Sequence, residues 1–280
     1  MTEDVFTIFQ LLSNLIAFEL EAEEDQNRRA AELRQARETA QARERLMGIL
    51  GHDLRNPLNV VKMGTSVLLH GSIPAAKQQG ILGQISRSAD RMERMIGDLL
   101  DFTRSRLGEG IPVAPQSVDL NALMRQALEE FGMSNPDRKV QLRAAGDCQV
   151  MADPDRFTQV VSNLIANAIQ HSPPGTAVSV RLEGFEADVR LSVHNHGIPI
   201  PTESLSSLFE PFRRGGDSAN EPHLPTSGLG LGLYIVSQIM RAHGGSISVC
   251  STAGEGTTFT ARWPRRESTE HQKPEALARG

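Results

Sequence analysis

Val178-Ser179-Val180-Arg181-Leu182 and Val189-Arg190-Leu191-Ser192-Val193 each carry an apolar residue at every second position. Successive side chains leave a strand on opposite sides, so this period of two marks strands with one buried and one wet face. A second strand pair, Ser246 to Cys250 and Thr257 to Trp263, is divided by the turn Ala253-Gly254-Glu255-Gly256. Upstream, Val140 to Arg143 reads as a further strand, and helical patterns fall at Asn121 to Phe131, Asp155 to Gln170 and Leu231 to Ala242. Asp153-Pro154-Asp155 is an ordinary helix-start signal, which gives its carboxylates a structural role. Strands grouped in hairpins and covered by helices predict an α+β sandwich over 117–266, not a doubly wound parallel sheet.

Working outward, Gly108 to Gln116 is rich in proline and glycine and reads as a linker. Before it, over 46–107, stand two helical patterns separated by His70-Gly71-Ser72-Ile73-Pro74. At 100° per residue, Leu46, Leu50, Leu54, Pro57, Val61 and Leu68 fall within about 40° of one direction. His52 lies near the opposite side with Asn56 one turn beyond it, and Asp53 sits on the flank between the two. The second pattern places Ile81, Ile85, Ala89, Met92, Ile96 and Leu99 on one stripe. Two antiparallel helices cannot bury both stripes alone, so an all-α hairpin that dimerises into a four-helix bundle is expected. Residues 1–45 read as a helical signalling segment. Glu19 to Arg45 lacks Gly and Pro, and Gln26, Leu33, Ala40 and Met47 form a sparse heptad, consistent with a coiled coil or a solvated helical linker. Residues 267–280 read as a disordered tail.

Composition narrows the function. The chain has 280 residues and a formal charge of −5, and no cluster of basic residues interleaved with aromatics, which argues against a nucleic-acid partner. Its two cysteines, Cys148 and Cys250, do not form a CxxC pair, so neither a disulfide framework nor a thiolate metal site is expected. The apolar stretch Val5 to Leu20 is interrupted by Gln10, Ser13, Asn14 and Glu19 and falls short of a membrane span. A cytoplasmic location is the expectation.

Four ordered motifs then stand out. His52-Asp53-Leu54-Arg55-Asn56-Pro57-Leu58 resembles the phosphoacceptor box of two-component histidine kinases, and Asn163-Leu164-Ile165-Ala166-Asn167-Ala168 resembles their N box. Leu208-Phe209-Glu210-Pro211-Phe212 is similar to the F box, and Gly228-Leu229-Gly230-Leu231-Gly232-Leu233 to the second glycine box. The resemblance covers roughly Leu46 to Pro264. It implies a phosphoacceptor and dimerisation domain followed by a Bergerat-type ATP-binding domain, ATP and Mg²⁺ as cofactors, a homodimer, and a response regulator with a receiver domain as partner. Phe6, Phe9, Leu12 and Ile16 resemble the closing helix of a GAF-type sensor module.

Chemistry supports these roles residue by residue. A neutral imidazole at His52 is a nucleophile near neutral pH, and Asp53 beside it is suited to bond the other ring nitrogen. Asn56 has no proton-transfer ability; one turn away it suits the orientation of water toward phosphohistidine or an acyl phosphate, which the resemblance links with phosphatase activity. Asn163 and Asn167, at i and i+4, share a helical face and offer amide oxygens that suit Mg²⁺, the resemblance making Asn167 the direct ligand. Gly228, Gly230 and Gly232 let backbone N–H groups approach a polyphosphate at a helix N-terminus. Arg213 to Ser227 reads as a mobile lid, with Arg213 and Arg214 at its root suited to contact phosphates or to stand as surface arginines, and the resemblance counts Phe212 of the F box, with His171 and Gly197, among the nucleotide-binding residues.

The first glycine box departs from the family. Asn195-His196-Gly197-Ile198-Pro199 stands where DxGxG is usual. The family aspartate accepts a bond from the adenine amino group; Asn195 accepts without charge, so weaker nucleotide binding is expected. An amide can also turn its NH₂ to a carbonyl, which would blunt discrimination against guanine. Pro199 fixes φ and removes a donor. Gln170 stands where a basic residue is frequent, and adjacent His171 partly substitutes for it. Two rivals are considered: a motor-like ATPase of the same fold, against which stands the lack of any Asp or Glu between Gln159 and His171, and a non-enzymatic kinase-like adaptor, motivated by Asn195 and Pro199.

Overall fold

The computed structural model describes residues 48, 51, 53–71, 73–108, 110–134, 138–212 and 229–265. Met1–Arg55 belong to one compact unit and Asn56–Gly280 to the other. The described residues of the first unit, 48, 51 and 53–55, are helical. The readings of 1–45, of His52, of the lid from Arg213 to Ser227, of Gly228 and of the tail lie outside the described residues.

Helix α1 (53–70) is followed by α2 (Ala75–Arg106). The two approach closely where α1 has no side chain: a Cβ on Gly64 would stand 2.9 Å from Ile85 Cγ1 and 3.1 Å from Ile81 Cγ2. The stripe expected on α2 is corrected in its second half. Ala89 and Ile96 face solvent, whereas Ser88, Met95 and Phe102 are buried. The inner seam is Ile81, Ile85, Ser88, Met92, Met95, Leu99 and Phe102, alternating steps of four and three. That 3.5-residue spacing keeps a seam facing its partner when helices coil, whereas a straight 100° wheel drifts off it. Ile96, Leu82 and Leu100 on α2, with Leu58, Met63 and Val67 on α1, leave large apolar side chains exposed.

The sandwich follows. Strand β1 (Gln116–Asp119) leads into α3 (Leu120–Ser134), β2 (Val140–Ala145), β3 (Gln149–Ala152) and α4 (Pro154–Gln170). Next come β4 (Val178–Gly184), β5 (Asp188–Asn195), the single turn α5 (Thr202–Leu205), α6 (Gly232–Ala242), β6 (Ser246–Thr252) and β7 (Gly256–Pro264). The main sheet runs β2-β4-β5-β7-β6, with β2 parallel to β4 and the other pairs antiparallel. The small antiparallel sheet of β1 and β3 has no signature in the sequence: four-residue strands are too short to show a period, and Gln116 ends the segment that reads as a linker.

Register decides which face packs. On β5 and β7 the pairs Val189–Trp263, Leu191–Ala261 and Val193–Phe259 are buried and lie opposite one another. The intervening pairs, Arg190–Arg262, Ser192–Thr260 and His194–Thr258, form the polar outer face. Two arginines opposite each other would repel, and Asp188 resolves this by accepting from Arg190 Nε at 2.8 Å and Arg262 Nε at 2.5 Å. Those bonds hold its carboxyl below the usual range despite its burial. Helices α4 and α6 cover the inner face, with Phe157 of α4 against Trp263 at 5.3 Å between ring centroids. Helix α4 starts as its sequence predicts: Asp153 accepts from the Asp155 and Arg156 N–H groups. The same residue ties down two further segments, accepting from Ala114 N and donating its own N–H to His243 Nε2 at 3.0 Å.

Candidate functional site

The alternation of β5 continues to its last residue, so Asn195 is the final inward-facing position and is 2% exposed. It emerges beneath the C-terminus of α4, where His171 is the cap. Asn195 Nδ2 donates to the His171 carbonyl at 3.5 Å. The chain then passes so close to that carbonyl that a Cβ on Gly197 would stand 2.0 Å from it and 2.7 Å from Asn195 Nδ2. Gly256, at φ 91°, is equally confined, its Cβ direction blocked by the Asn195 carbonyl at 2.2 Å. Asn195 and Gly197 are thus joined to the end of α4 by close backbone approach. His171 is exposed as a residue, and desolvation holds its imidazole below its ordinary value.

A second junction links α4 to α6. A Cβ on Gly232, the first residue of α6, would lie 3.3 Å from Asn163 Oδ1. The missing side chain leaves the Asn163 amide oxygen beside the helix N-terminus, in a cradle that any other residue would fill. Asn163 and Asn167 are both half-buried on this side of α4, and the Asn167 carbonyl accepts the His171 N–H at 3.1 Å. Gly230 adopts φ 68°, and its carbonyl accepts the Phe212 N–H at 3.0 Å. The structure therefore gathers Asn163, Asn167, His171, Asn195, Gly197, Phe212, Gly230 and Gly232 along one rim of the sandwich. Asp53 and Asn56 lie on α1. Asn56 is exposed, and Asp53, which the wheel places on the flank between the polar face and the stripe, is buried.

Sequence reasoning missed a polar cluster at the end of α2. Asp101 receives a bidentate ion pair from Arg156 of α4, at 2.6 and 3.0 Å, and a bond from Gln159 Nε2 at 3.1 Å. Neighbouring Asp98 is pushed up to about 6, chiefly by burial and then by the charge of Asp101, with Gln159 and Arg94 acting the other way. The signal was present: residues 98, 101, 102 and 105 share one helical face, and two carboxylates next to an aromatic do not suit an apolar stripe.

Asp98 predicts a pH dependence. Its folded value of about 6 exceeds the ordinary 3.8, so the folded chain holds a proton that the unfolded chain releases. Its contribution is complete below about pH 4 and is lost as pH rises through 6. At about 1.4 kcal/mol per unit over the gap from 3.8 to about 6, Asp98→Asn is expected to stabilise the fold by ~3 kcal/mol at pH 7.5 and by little at about pH 3.5. Denaturant titration read from the emission of Trp263, the sole tryptophan, checks this. An equal effect at both pH values would be incompatible with Asp98 as the cause.

The strand end thus meets the cap of α4 and the glycine turn meets Asn163 farther back on the same helix, and the match to known families gives the sandwich an ATP-binding class. Residues 152–267 match the family described as Histidine kinase-, DNA gyrase B-, and HSP90-like ATPase, and residues 42–108 match the His Kinase A (phospho-acceptor) domain. With both domains in one chain, and with the relatives that follow, the chain belongs to the sensor histidine kinases. It is 36% identical over 236 residues to a bacteriophytochrome of Pseudomonas aeruginosa, covering 84% of this chain and 32% of that protein. To the sensor histidine kinase ZraS of Escherichia coli K12 it is 34% identical over 219 residues, covering 77% and 44%. The chain thus spans a third to under half of the length of these relatives. A solved structure of histidine kinase ThkA in complex with response regulator protein TrrA aligns with TM-score 0.54 and 25% identity, covering 81% of this chain and 65% of that one. Among the described residues no helix is long and apolar enough to cross a membrane.

Proposed function

We propose that this chain is a kinase core that transfers the γ-phosphoryl group of ATP to His52 and then to the receiver aspartate of a response regulator. The observation that supports this reading is that α4 meets both the glycine turn, at Asn163 against Gly232, and the end of β5, at His171 against Asn195, in a sandwich that follows a phospho-acceptor hairpin in the same chain. The His52 ring nitrogen forms the new bond to phosphorus while the bond to the bridging oxygen of ADP breaks, and Asp53 bonds the other ring nitrogen and steadies the charge that develops. Asn56 orients water for removal of phosphate from the regulator. The N-terminal dipole of α6 and the turn amides receive the polyphosphate. Mg²⁺ fits here: it requires one or two protein oxygens beside phosphates, and the half-buried amides of Asn163 and Asn167 would hold it, neutralising charge on the transferred group.

The functional segments in this reading are 46–107 for dimerisation and phosphoacceptance and 117–266 for catalysis, with 1–45 relaying a signal from a GAF-type sensor and 267–280 a tail. The exposed Leu58, Met63, Leu82, Ile96 and Leu100 support a homodimer, because a second hairpin would bury them. The kinase acts in the cytoplasm. Incubation with γ-labelled ATP and Mg²⁺ tests the function: an acid-labile, base-stable label is expected, and no label, with ATP bound, would turn the reading to an adaptor.

The geometry also sharpens the expectation for the base. Because Asn195 points its NH₂ to the His171 carbonyl, its Oδ1 is the atom left to meet a nucleobase, and an acceptor there favours the adenine amino group over guanine O6. Blunted discrimination is therefore not expected. Calorimetry should show ATP binding at least tenfold tighter than GTP, on the order of 1.4 kcal/mol. Asn195→Asp should tighten ATP by less than the roughly fivefold gain of a charge-assisted bond, since the carboxylate then faces the His171 carbonyl. Equal ATP and GTP affinities would remove Asn195 from the base site.

A further inference from the structure

The inner face of the main sheet changes character at its site end. Across β5, β7 and β6 the register row Val193–Phe259–Val249 is apolar, and the next row toward the site, Asn195–Thr257–Ser251, is polar. Asn195 and Thr257 are buried and Ser251 is half-buried. Polar groups so placed need partners, and Ser251 has two. Its Oγ accepts the Ile200 N–H at 2.9 Å and lies 2.7 Å from Thr257 Oγ1, to which its own proton is free to go. Ile200 belongs to the loop after β5, Ile198-Pro199-Ile200-Pro201, whose two prolines lack an N–H and hold φ at about −65°. The residue before a proline is restricted to extended backbone, so Ile198 and Ile200 are stiff as well. The loop is therefore a short strap, and the Ile200 amide is the only backbone donor between its prolines. Among the described residues, its bond to Ser251 is the one hydrogen bond that ties residues 198–201 to the sheet.

We propose that Ser251 is a positioning residue for nucleotide binding: by holding the Ile200 amide it sets the wall that this strap presents to the base beside Asn195. The inference rests on Asn195 being the residue that meets the base. A flexible loop absorbs the loss of one bond by local rearrangement, whereas a strap with two fixed φ angles moves as one piece when its single tie is cut. Pro199, which stands where the family has glycine, is thus what makes the Ser251 bond matter. The displacement reaches Gly197 and Asn195, which adjoin the strap, and Thr257, the cross-strand partner of Asn195, loses a bond at the same time. Ser251 is part of neither the glycine turn nor the Asn163 and Asn167 pair, so its effect falls on binding and not on the transfer step.

Two measurements on the full chain test this: calorimetric ATP affinity, and the rate of labelling by γ-labelled ATP as ATP concentration is varied. Ser251→Ala is expected to weaken ATP binding, and to raise the ATP concentration for half-maximal labelling rate, by about three- to tenfold, with the maximal rate within about twofold of the parent. Ser251→Thr, which keeps the hydroxyl, should bind ATP within about twofold of the parent. Ser248→Ala, on the exposed face of the same strand, should change neither quantity. In the parent itself the Ile200 amide should exchange its hydrogen at least about tenfold more slowly than that of Ile198, which is 88% exposed, and this holds the inference to account even if Ser251→Ala folds poorly. Parent-like affinity in Ser251→Ala, a loss that Ser251→Thr does not restore, a fall in maximal rate at unchanged half-saturation, or equal exchange at Ile198 and Ile200 would each overturn the role of Ser251 and leave the ATP site standing. Failure of the parent to bind ATP would remove the base-site reading and this inference with it.

Discussion

His52→Gln is expected to abolish labelling by γ-labelled ATP while leaving nucleotide affinity within about twofold of the parent. Glutamine keeps the polarity and approximate length of histidine but lacks a ring nitrogen able to form a phosphoramidate, so the loss should be complete and not graded. Affinity is spared because the residues gathered around the nucleotide, Asn163, Asn195 and the Gly230–Gly232 turn, are carried by the sandwich. Autoradiography and calorimetry on the same preparation separate the two outcomes. A label that survives would move the acceptor to another residue, and a parallel loss of affinity would contradict the division of labour. Asn56→Ala makes the matching case: an exposed amide one turn along should leave labelling intact and slow phosphate removal from the regulator.

Gly197→Ala carries the second large effect. Its Cβ would come within 2.0 Å of the His171 carbonyl, a backbone atom at a helix cap that cannot swing aside as a side chain would. Either the end of α4 or the loop after β5 must move, at a cost of about 1–3 kcal/mol or more. Asn195, two residues earlier and bonded to the same carbonyl, would move with it. ATP affinity should fall at least tenfold, on the order of 1.4 kcal/mol, with Trp263 emission still reporting a folded sheet. Gly175→Ala is the control: at φ 83° with nothing near its Cβ, it should strain its own turn and leave ATP binding alone. Normal affinity in Gly197→Ala would mean that the loop and the helix cap do not jointly shape the pocket.

Both tests start from features with different legibility in the sequence. Long strands with strict alternation, such as β4, β5 and β7, could be read directly, because a half-buried face writes itself as period two. The capping signal at Asp153 was equally plain. By contrast β1 and β3 are too short to carry a period, and α2 misled by one residue at two positions, Ser88 for Ala89 and Met95 for Ile96, because its inner seam alternates steps of four and three. At the site, residue types and order were informative: Asn163, Asn167, Asn195 and the glycines could be named as a set. How Asn195 is turned was not legible, since it depends on a carbonyl 24 residues earlier in the chain. Nor was the pairing of Phe102 with Phe212, which a rule based on local periodicity cannot reach.

The register of β5 against β7 has a consequence for inheritance. Arg190, Ser192 and His194 with Arg262, Thr260 and Thr258 already clothe the outer side of the sheet in polar groups. The ground beneath the end of α2 is furnished by the polar groups of Arg156, Gln159, Tyr234 and Gln238, with the rings of Phe212 and Tyr234 the small apolar patch that Phe102 covers. Severing the chain after Gly108 would thus bare little oil. A module that can lose its attachment without becoming sticky can be copied, transplanted and fused behind new helices in the course of evolution. The arginine pair that Asp188 quiets is part of what makes such transfer cheap.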